Sequence, residues 1–344
     1  MNETLLVIGD THLSDKYPGY LDAQIKFLSE LIYRYVPSEA GAVLFLGDVF
    51  NDRSPKPNVL LALQGLIKQI PCHVGILRGN HDSQTKADDG ITALSLFSGS
   101  HVKVIREYEA FNNLHFIPHY ESDSVIIDIL KTIPPDDSIV FGHFGYSGCM
   151  GSVAEYEFTI PLGIIPTAIL GHIHYYKKEQ GVTILGTPYS TDFNEAGKTS
   201  YVALVHRPKS SEGIKRAFTI DLRNTEEIPQ PRHLVSTYEE LHLHKDFLRD
   251  SKDFVLLRVL IDPLSDANSP EIIRSIINDY KVKWVEIKFK SFISDRVKED
   301  LSSFRPKREI VTINDQVLED YVEANNAGLT KEDLMNGLKD IRNA

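Results

Sequence analysis

The sequence predicts an α/β protein: a large domain of strands alternating with helices, then a small βαβ unit, then a pair of terminal helices. Three observations predict it. Five short apolar runs each stop at a glycine and are followed by a carboxylate, an amide or an imidazole. Between several of them lie stretches whose apolar residues recur at the 3.6 helical period. Beyond a break at 225–231, with prolines at 229 and 231, the pattern restarts on a smaller scale.

The first run is Leu5, Leu6, Val7 and Ile8, and it ends in Gly9-Asp10-Thr11-His12. Read as a strand with period-two alternation, it sets Asp10 and His12 on one face. A helix over 20–36 follows, with Leu21, Ile25, Leu28, Leu31, Ile32 and Val36 on one stripe and Pro37 as its stop. The second run, Val43 to Leu46 in sequence, ends in Gly47-Asp48 and opens into a polar loop over 49–55. A second helix spans 57–70, with Pro57 suited to the first turn and Val59, Leu60, Leu63, Leu66, Ile67 and Ile70 facing the core. The third run ends in Gly79-Asn80-His81-Asp82, and a short helix with acidic residues at its start is expected over 88–97.

Strands are expected at 102–105 and 114–118, and a helix at 125–133 that Pro134-Pro135 stops. The fourth run ends in Gly142-His143. The connection over 144–166 is long for a compact domain and reads as a substrate-side loop or as a plain insertion. The fifth run ends in Gly171-His172-Ile173-His174. Two more strands, 182–189 and 201–206, read as a hairpin closed by the polar turn at 194–200.

Past the break, strand 254–261, helix 270–280 and strand 283–289 form a βαβ unit small enough to cap a site. Lys281, Lys283, Lys288, Lys290, Arg296, Lys298, Arg305, Lys307 and Arg308 make this end basic, either a binding face or an ordinary solvated one. Two short helices, 315–325 and 330–341, are separated by Asn326-Ala327-Gly328 and each carry one apolar face. The expected domains are 1–224, 232–309 and 310–344.

At 344 residues the chain holds one large domain and one or two small ones. Its net charge of −11 argues against a protein basic all over, but not against a local basic face. No run of 18 or more apolar residues is present, and no basic, apolar leader opens the chain, so neither membrane span nor secretion is expected. Cys72 and Cys149 give no disulfide framework and no Cys-rich zinc site, which fits the reducing cytoplasm.

The ordered set GDTH, GD, GNHD, GH and GHIH resembles the calcineurin-like metallophosphoesterase superfamily over roughly the first 200 residues. That resemblance implies a four-layer β-sandwich flanked by helices, with two metals at the strand ends. By the superfamily pattern Asp48 bridges both ions; Asp10, His12 and His174 complete one, and Asn80, His143 and His172 the other. Carboxylate, amide and imidazole donors suit Mn²⁺, Fe or Zn better than Ca²⁺, with Mn²⁺ foremost. His81 is expected to serve the leaving oxygen and Asp82 to orient its ring; the alternative for His81 is a structural histidine behind the ligands. His73, His101, His115, His206, His233, His242 and His244 lie outside the motifs and are expected to be structural; His119, after Pro118, is not counted among the site residues.

Phosphoprotein phosphatases read Gly-Asp-x-Val-Asp-Arg-Gly and Gly-Asn-His-Glu, and neither occurs here. With a βαβ cap and a terminal helix pair, the order of elements is similar to the SbcD-type nuclease subunit of the double-strand-break repair complex, phage recombination members included. That similarity implies a Mn²⁺-dependent 3′→5′ duplex exonuclease and single-strand endonuclease. It further implies a homodimer formed near 59–70 and 91–97, and an SbcC-like SMC-family ATPase partner bound by the terminal helices. Asn51, Arg53, Lys288 and Lys290 are the candidate DNA contacts. Several cellular relatives carry a histidine at the place of Asn51, where it favours exonuclease action; an asparagine supplies no acid proton. The rival readings are a stand-alone phosphodiesterase or nucleotidase for a small molecule, and a scaffold without catalysis, which the full ligand set disfavours.

Overall fold

The computed structural model describes residues 4–36, 39–135, 137–150, 158–207, 218–261, 269–280 and 282–289. The chain divides into two units, Met1–Lys290 and Ser291–Ala344; the second, with the expected helices 315–325 and 330–341, lies outside those residues, as do Lys281 and Lys290.

In chain order the elements are β1 (Thr4–Ile8), α1 (Tyr20–Tyr35), β2 (Ala42–Phe45), α2 (Pro57–Lys68), β3 (His73–Leu77), β4 (Val102–Ile105), β5 (Glu109–Phe111), β6 (Leu114–Ile117), α3 (Asp123–Thr132), β7 (Ile139–His143), β8 (Ala168–Gly171), β9 (Lys177–Glu179), β10 (Val182–Ile184), β11 (Tyr201–His206) and β12 (Thr219–Asn224). They are followed by β13 (Pro231–Thr237), α4 (Lys245–Asp250), β14 (Phe254–Ile261), α5 (Ser269–Tyr280) and β15 (Trp284–Phe289). One six-stranded sheet runs β12-β11-β1-β2-β3-β4, a second β5-β6-β7-β8-β10-β9, and a three-stranded parallel sheet β13-β14-β15.

Alternation along the motif strands explains the layers. Leu6 and Ile8 of β1, with Val43 and Phe45 of β2, face outward onto α1 and α2. Val7 and Leu44 face inward and meet Ile139, Phe141 and Ile169 of the other sheet. Val140, Ala168 and Leu170 turn away from that seam toward Ile126 and Leu130 of α3. Strands buried on both faces read as unbroken apolar runs, which is how β1, β2, β7 and β8 appear in the sequence. The result is the expected four layers: helices, sheet, sheet, helix.

Three expectations are corrected. The helix over 88–97 shrinks to a 3-10 turn, Ala93–Phe97. Asp88 accepts from Glu121 N–H and Asp89 from Ile91 N–H, and Gly90 sits at φ 67, so the acidic segment is a loop. The hairpin of 182–189 with 201–206 does not form. β10 lies between β8 and β9 in one sheet, whereas β11 lies between β1 and β12 in the other. Gly186, at φ 77, turns the chain out of β10, and 187–200 crosses between the sheets. The break at 225–231 is also no free linker: Thr225 and Ile228 are fully buried, and Thr225 Oγ1 donates to Pro188 O at 2.9 Å.

β14 divides its side chains between two neighbours. Val255, Leu257, Val259 and Ile261 fill a core between the three-stranded sheet and its helices with Leu248, Ile276 and Val285. Leu256 and Phe254 face the other way, into a cluster with Tyr17, Tyr20, Phe193 and Trp284. The small sheet is thereby seated on the loops that follow β1 and β10. Among the described residues, no helix is long and apolar enough to cross a membrane.

Candidate metal centre

The five motif segments converge at the carboxyl ends of β1, β2, β3, β7 and β8, the customary ligand edge of parallel sheets. The glycines serve close approach. Gly47 has φ 104, and a Cβ there would strike the His143 ring. A Cβ on Gly79 would strike the Asp48 carboxylate. Three candidate ligands are themselves left-handed without being glycine: His12 at φ 42, Asp48 at φ 44 and His172 at φ 80. Such backbones cost energy and collect at functional sites. They also correct one expectation: β1 ends at Ile8, so Asp10 and His12 are presented by a turn and not by strand alternation.

Asp48 lies at the centre, 2 % exposed. Its Oδ2 is 3.7 Å from His12 Nε2, which is 3.0 Å from His174 Nε2. Its Oδ1 is 3.4 Å from His143 Nε2 and accepts from the His81 amide at 2.8 Å. Asn80 Oδ1 lies 3.0 Å from His143 Nε2 and 2.9 Å from His172 Nδ1. Two donor groups able to hold a cation result, His12 with Asp48 and His81, and Asp48 with His143 and His172; Asp48 belongs to both. Ring nitrogens facing one another around a carboxylate have a common use, binding a metal ion.

The charges of the metal-free cluster fit that use. Burial raises Asp10 to about 6 against the pull of His143. Burial also works to raise Asp48, but His143 and His12 outweigh it and hold the carboxyl well below its ordinary range. The same Asp48 charge lifts His143 to about 9 despite its burial. Burial lowers His12 and His172 to about 3, so both offer neutral rings. Burial works to lower His174, but its bond to Glu195 and the charges of Asp10, Glu195 and Asp48 together raise it above the ordinary imidazole value.

Supporting partners hold these groups. Asp10 accepts the His172 amide on both oxygens, at 3.0 and 3.1 Å, and lies 3.3 Å from His143 Nδ1. His143 Nδ1 donates to Leu46 O at 2.8 Å, which turns Nε2 inward. His81 Nδ1 is held by Asn51 O at 2.6 Å. Asp82, expected to orient that ring, instead accepts the amides of Gly79, Phe50 and Val49 at 2.9, 3.0 and 3.3 Å and ties two motif loops together.

Of the candidate DNA contacts, Asn51 is in the site through its carbonyl. Arg53 pins the 83–85 loop by donating to Ser83 O and Thr85 O. Lys288 is exposed, 3.6 Å from Glu286. His119 comes to the site, its ring centroid 5.6 Å from that of His172. Two residues were not anticipated. Gln24, fully buried, donates to His12 O and accepts from Ser14 N. Its signal was a polar residue between Leu21 and Leu28 on an apolar stripe. Glu195, 3 % exposed, binds His174 Nδ1 at 2.5 Å; nothing in its neighbourhood in sequence points to a histidine 21 residues away.

Comparison with known proteins bears on this arrangement. A calcineurin-like phosphoesterase family model matches residues 3–176. No curated protein sequence matches the chain. Among solved structures, the 5′-nucleotidase precursor from Thermus thermophilus is similar at 13 % identity and a TM-score of 0.35. The alignment covers 66 % of this chain and 55 % of that one, so the chain spans little more than half of that protein's length. The family match runs from β1 to just past His174 and so takes in every motif strand around Asp48, with its donor groups able to hold a cation: the chain belongs to the calcineurin-like phosphoesterase family.

Proposed function

We propose that this protein is a metal-dependent phosphoester hydrolase, a DNA nuclease that uses two Mn²⁺ ions. Asp48 would help to hold both ions, with Asp10, His12 and His174 as further holders of one and Asn80, His143 and His172 of the other. The donors fit such a pair, because the Oδ2 and Oδ1 sides of Asp48 each face a separate group of nitrogens. Bound there, such ions would supply charge neutralisation for a phosphoryl group and would acidify water at neutral pH.

The chain's own groups do the rest. His81 is half-buried beside Asp48, and its Nδ1 is occupied by Asn51 O, so Nε2 is the atom left to carry a proton to the departing oxygen. The Asn51 side chain, 3.4 Å from Asp52 Oδ1, adds no acid to this step. Asp82 keeps the loops of Asp48 and His81 at fixed separation.

A polymeric substrate is supported by the way the small sheet joins the site. Phe193 packs edge-on against His233 of β13 at 4.7 Å and under the Arg258 guanidinium of β14 at 4.0 Å. Two residues on, Glu195 holds His174. A second sheet fixed to the rim widens the surface offered to a substrate far beyond one phosphoester. Dimerisation through α2 and the 91–97 segment is supported by Leu61, Ile91 and Leu96, which are 65, 52 and 73 % exposed. The ATPase partner is assigned to 310–344 by the resemblance alone. Free Cys72 and Cys149 suit the cytoplasm.

The test is hydrolysis by the purified chain with Mn²⁺, on linear duplex DNA, single-stranded DNA, nucleoside monophosphates and an aryl phosphodiester. Digestion of both DNAs is expected. Turnover of the small esters with both DNAs left intact would replace the proposal with the nucleotidase or phosphodiesterase reading.

A further inference from the structure

His174 reaches the metal centre from a turn beyond β8 and makes its other ring contact with a carboxylate that no motif announces. Glu195 closes the 3-10 turn Phe193–Glu195 and is 3 % exposed. Burying a carboxylate is costly unless its oxygens are fully met. Here Oε1 accepts from His174 Nδ1 at 2.5 Å and from Thr191 Oγ1 at 2.8 Å, and Oε2 from Thr191 N at 2.8 Å and Thr187 Oγ1 at 3.1 Å. Three of the four donors come from its own loop. They build a socket that keeps the charge in place before it meets the imidazole.

The loop is itself pinned. Asp192 accepts the amides of Asn194 and Glu195 at 2.7 and 3.2 Å. Ser190 holds the His233 amide through its hydroxyl at 2.8 Å, and Tyr20 Oη donates to Ser190 O. Glu195 is therefore not a side chain that happened to find a histidine. It is held on two sides in the one position from which a ring nitrogen can be fixed.

We propose that Glu195 is a positioning residue for the metal centre: it keeps the proton of neutral His174 on Nδ1 and presents a bare Nε2 to the ion shared with His12. This rests on the two-ion proposal above. A carboxylate behind a metal-binding histidine selects the tautomer, orients the ring and raises its basicity. Without it, the ring can place its proton on Nε2 and turn a donor away from the ion.

Two measurements test it. In the wild-type protein loaded with Zn²⁺, long-range ¹H–¹⁵N spectra should show His174 protonated at Nδ1, with that proton shifted far downfield. In Glu195→Gln, Mn²⁺ titration should show one ion weakened by about 10–100-fold and the other unchanged, while the metal-free melting temperature stays near the wild type. His174→Ala marks which ion is affected. A His174 proton on Nε2, both ions bound as in the wild type, or both weakened equally, would each overturn the proposal. If Glu195→Gln does not fold, the wild-type spectrum decides alone. A wild-type protein that binds no divalent cation would overturn the two-ion proposal itself, a result visible before any variant is made.

Discussion

The two sides of Asp48 are built differently. On the Oδ1 side His143 is fully buried, its ring locked by Leu46 O, with Asn80 shared between it and His172. On the Oδ2 side His174 keeps 31 % of its side chain exposed, and His81 stands half-buried, its ring edge-on to that of His12. One side is anchored in the sandwich through a strand residue. The other is assembled from turns, and each side reaches solvent through a half-buried histidine, His172 on the first and His81 on the second. On the two-ion proposal, the strand-anchored side of His143, the closed side, would fix one ion, and the side of His174 and His81, the open side, would be where substrate enters and protons leave.

Variants can break or sharpen this contrast. Asp48→Ala removes the group common to both sides and should abolish hydrolysis and metal uptake at both, read by metal analysis of the dialysed protein. His81→Gln should act on the open side alone, lowering turnover by about 10²–10⁴-fold with metal content unchanged. Asp82→Ala strands the amides of Gly79, Phe50 and Val49, and should cost on the order of 3 kcal/mol in denaturant unfolding of the metal-free protein.

A smaller effect separates the sides by pH. His143 in the metal-free centre is held at about 9, so near neutrality it carries a proton that must leave before its ring can bind. Protons compete with the ion below that value. Affinity at the closed side should therefore rise about tenfold per pH unit between pH 7 and 9, with proton release seen by calorimetry in buffers of different ionisation enthalpy. An affinity that stays flat over this range would contradict a protonated His143 in the metal-free centre. The smallest effect lies far from Asp48. Leu96→Glu should change stability by no more than about 0.5 kcal/mol yet shift a dimer to monomer in sedimentation; an unchanged sedimentation coefficient would exclude this face as the interface.

Much of the closed side was legible in the sequence. Doubly buried strands write themselves as apolar runs, and a glycine before Asp48, Asn80 and His172 marks where backbone and ligand must nearly touch. The open side was less legible. His12 depends on a left-handed turn that period-two alternation misreads, and His174 depends on Glu195, whose role exists only once the chain has crossed between sheets. That crossing is also what the hairpin expectation missed: β10 and β11 are neighbours in sequence but belong to different sheets. Short polar strands such as β9, Lys177–Glu179, carry no alternation to read. Likewise Asp82 announced itself as a neighbour of His81, yet adjacency in sequence turned its carboxylate to backbone amides.

The most direct test is a crystal of the full chain grown with Mn²⁺ and measured at the manganese absorption edge. Two anomalous peaks about 3.5–4 Å apart should flank Asp48, one against His12 and His174 and the other against Asn80, His143 and His172. A single peak, or two peaks of which only one touches Asp48, would contradict the shared-carboxylate centre.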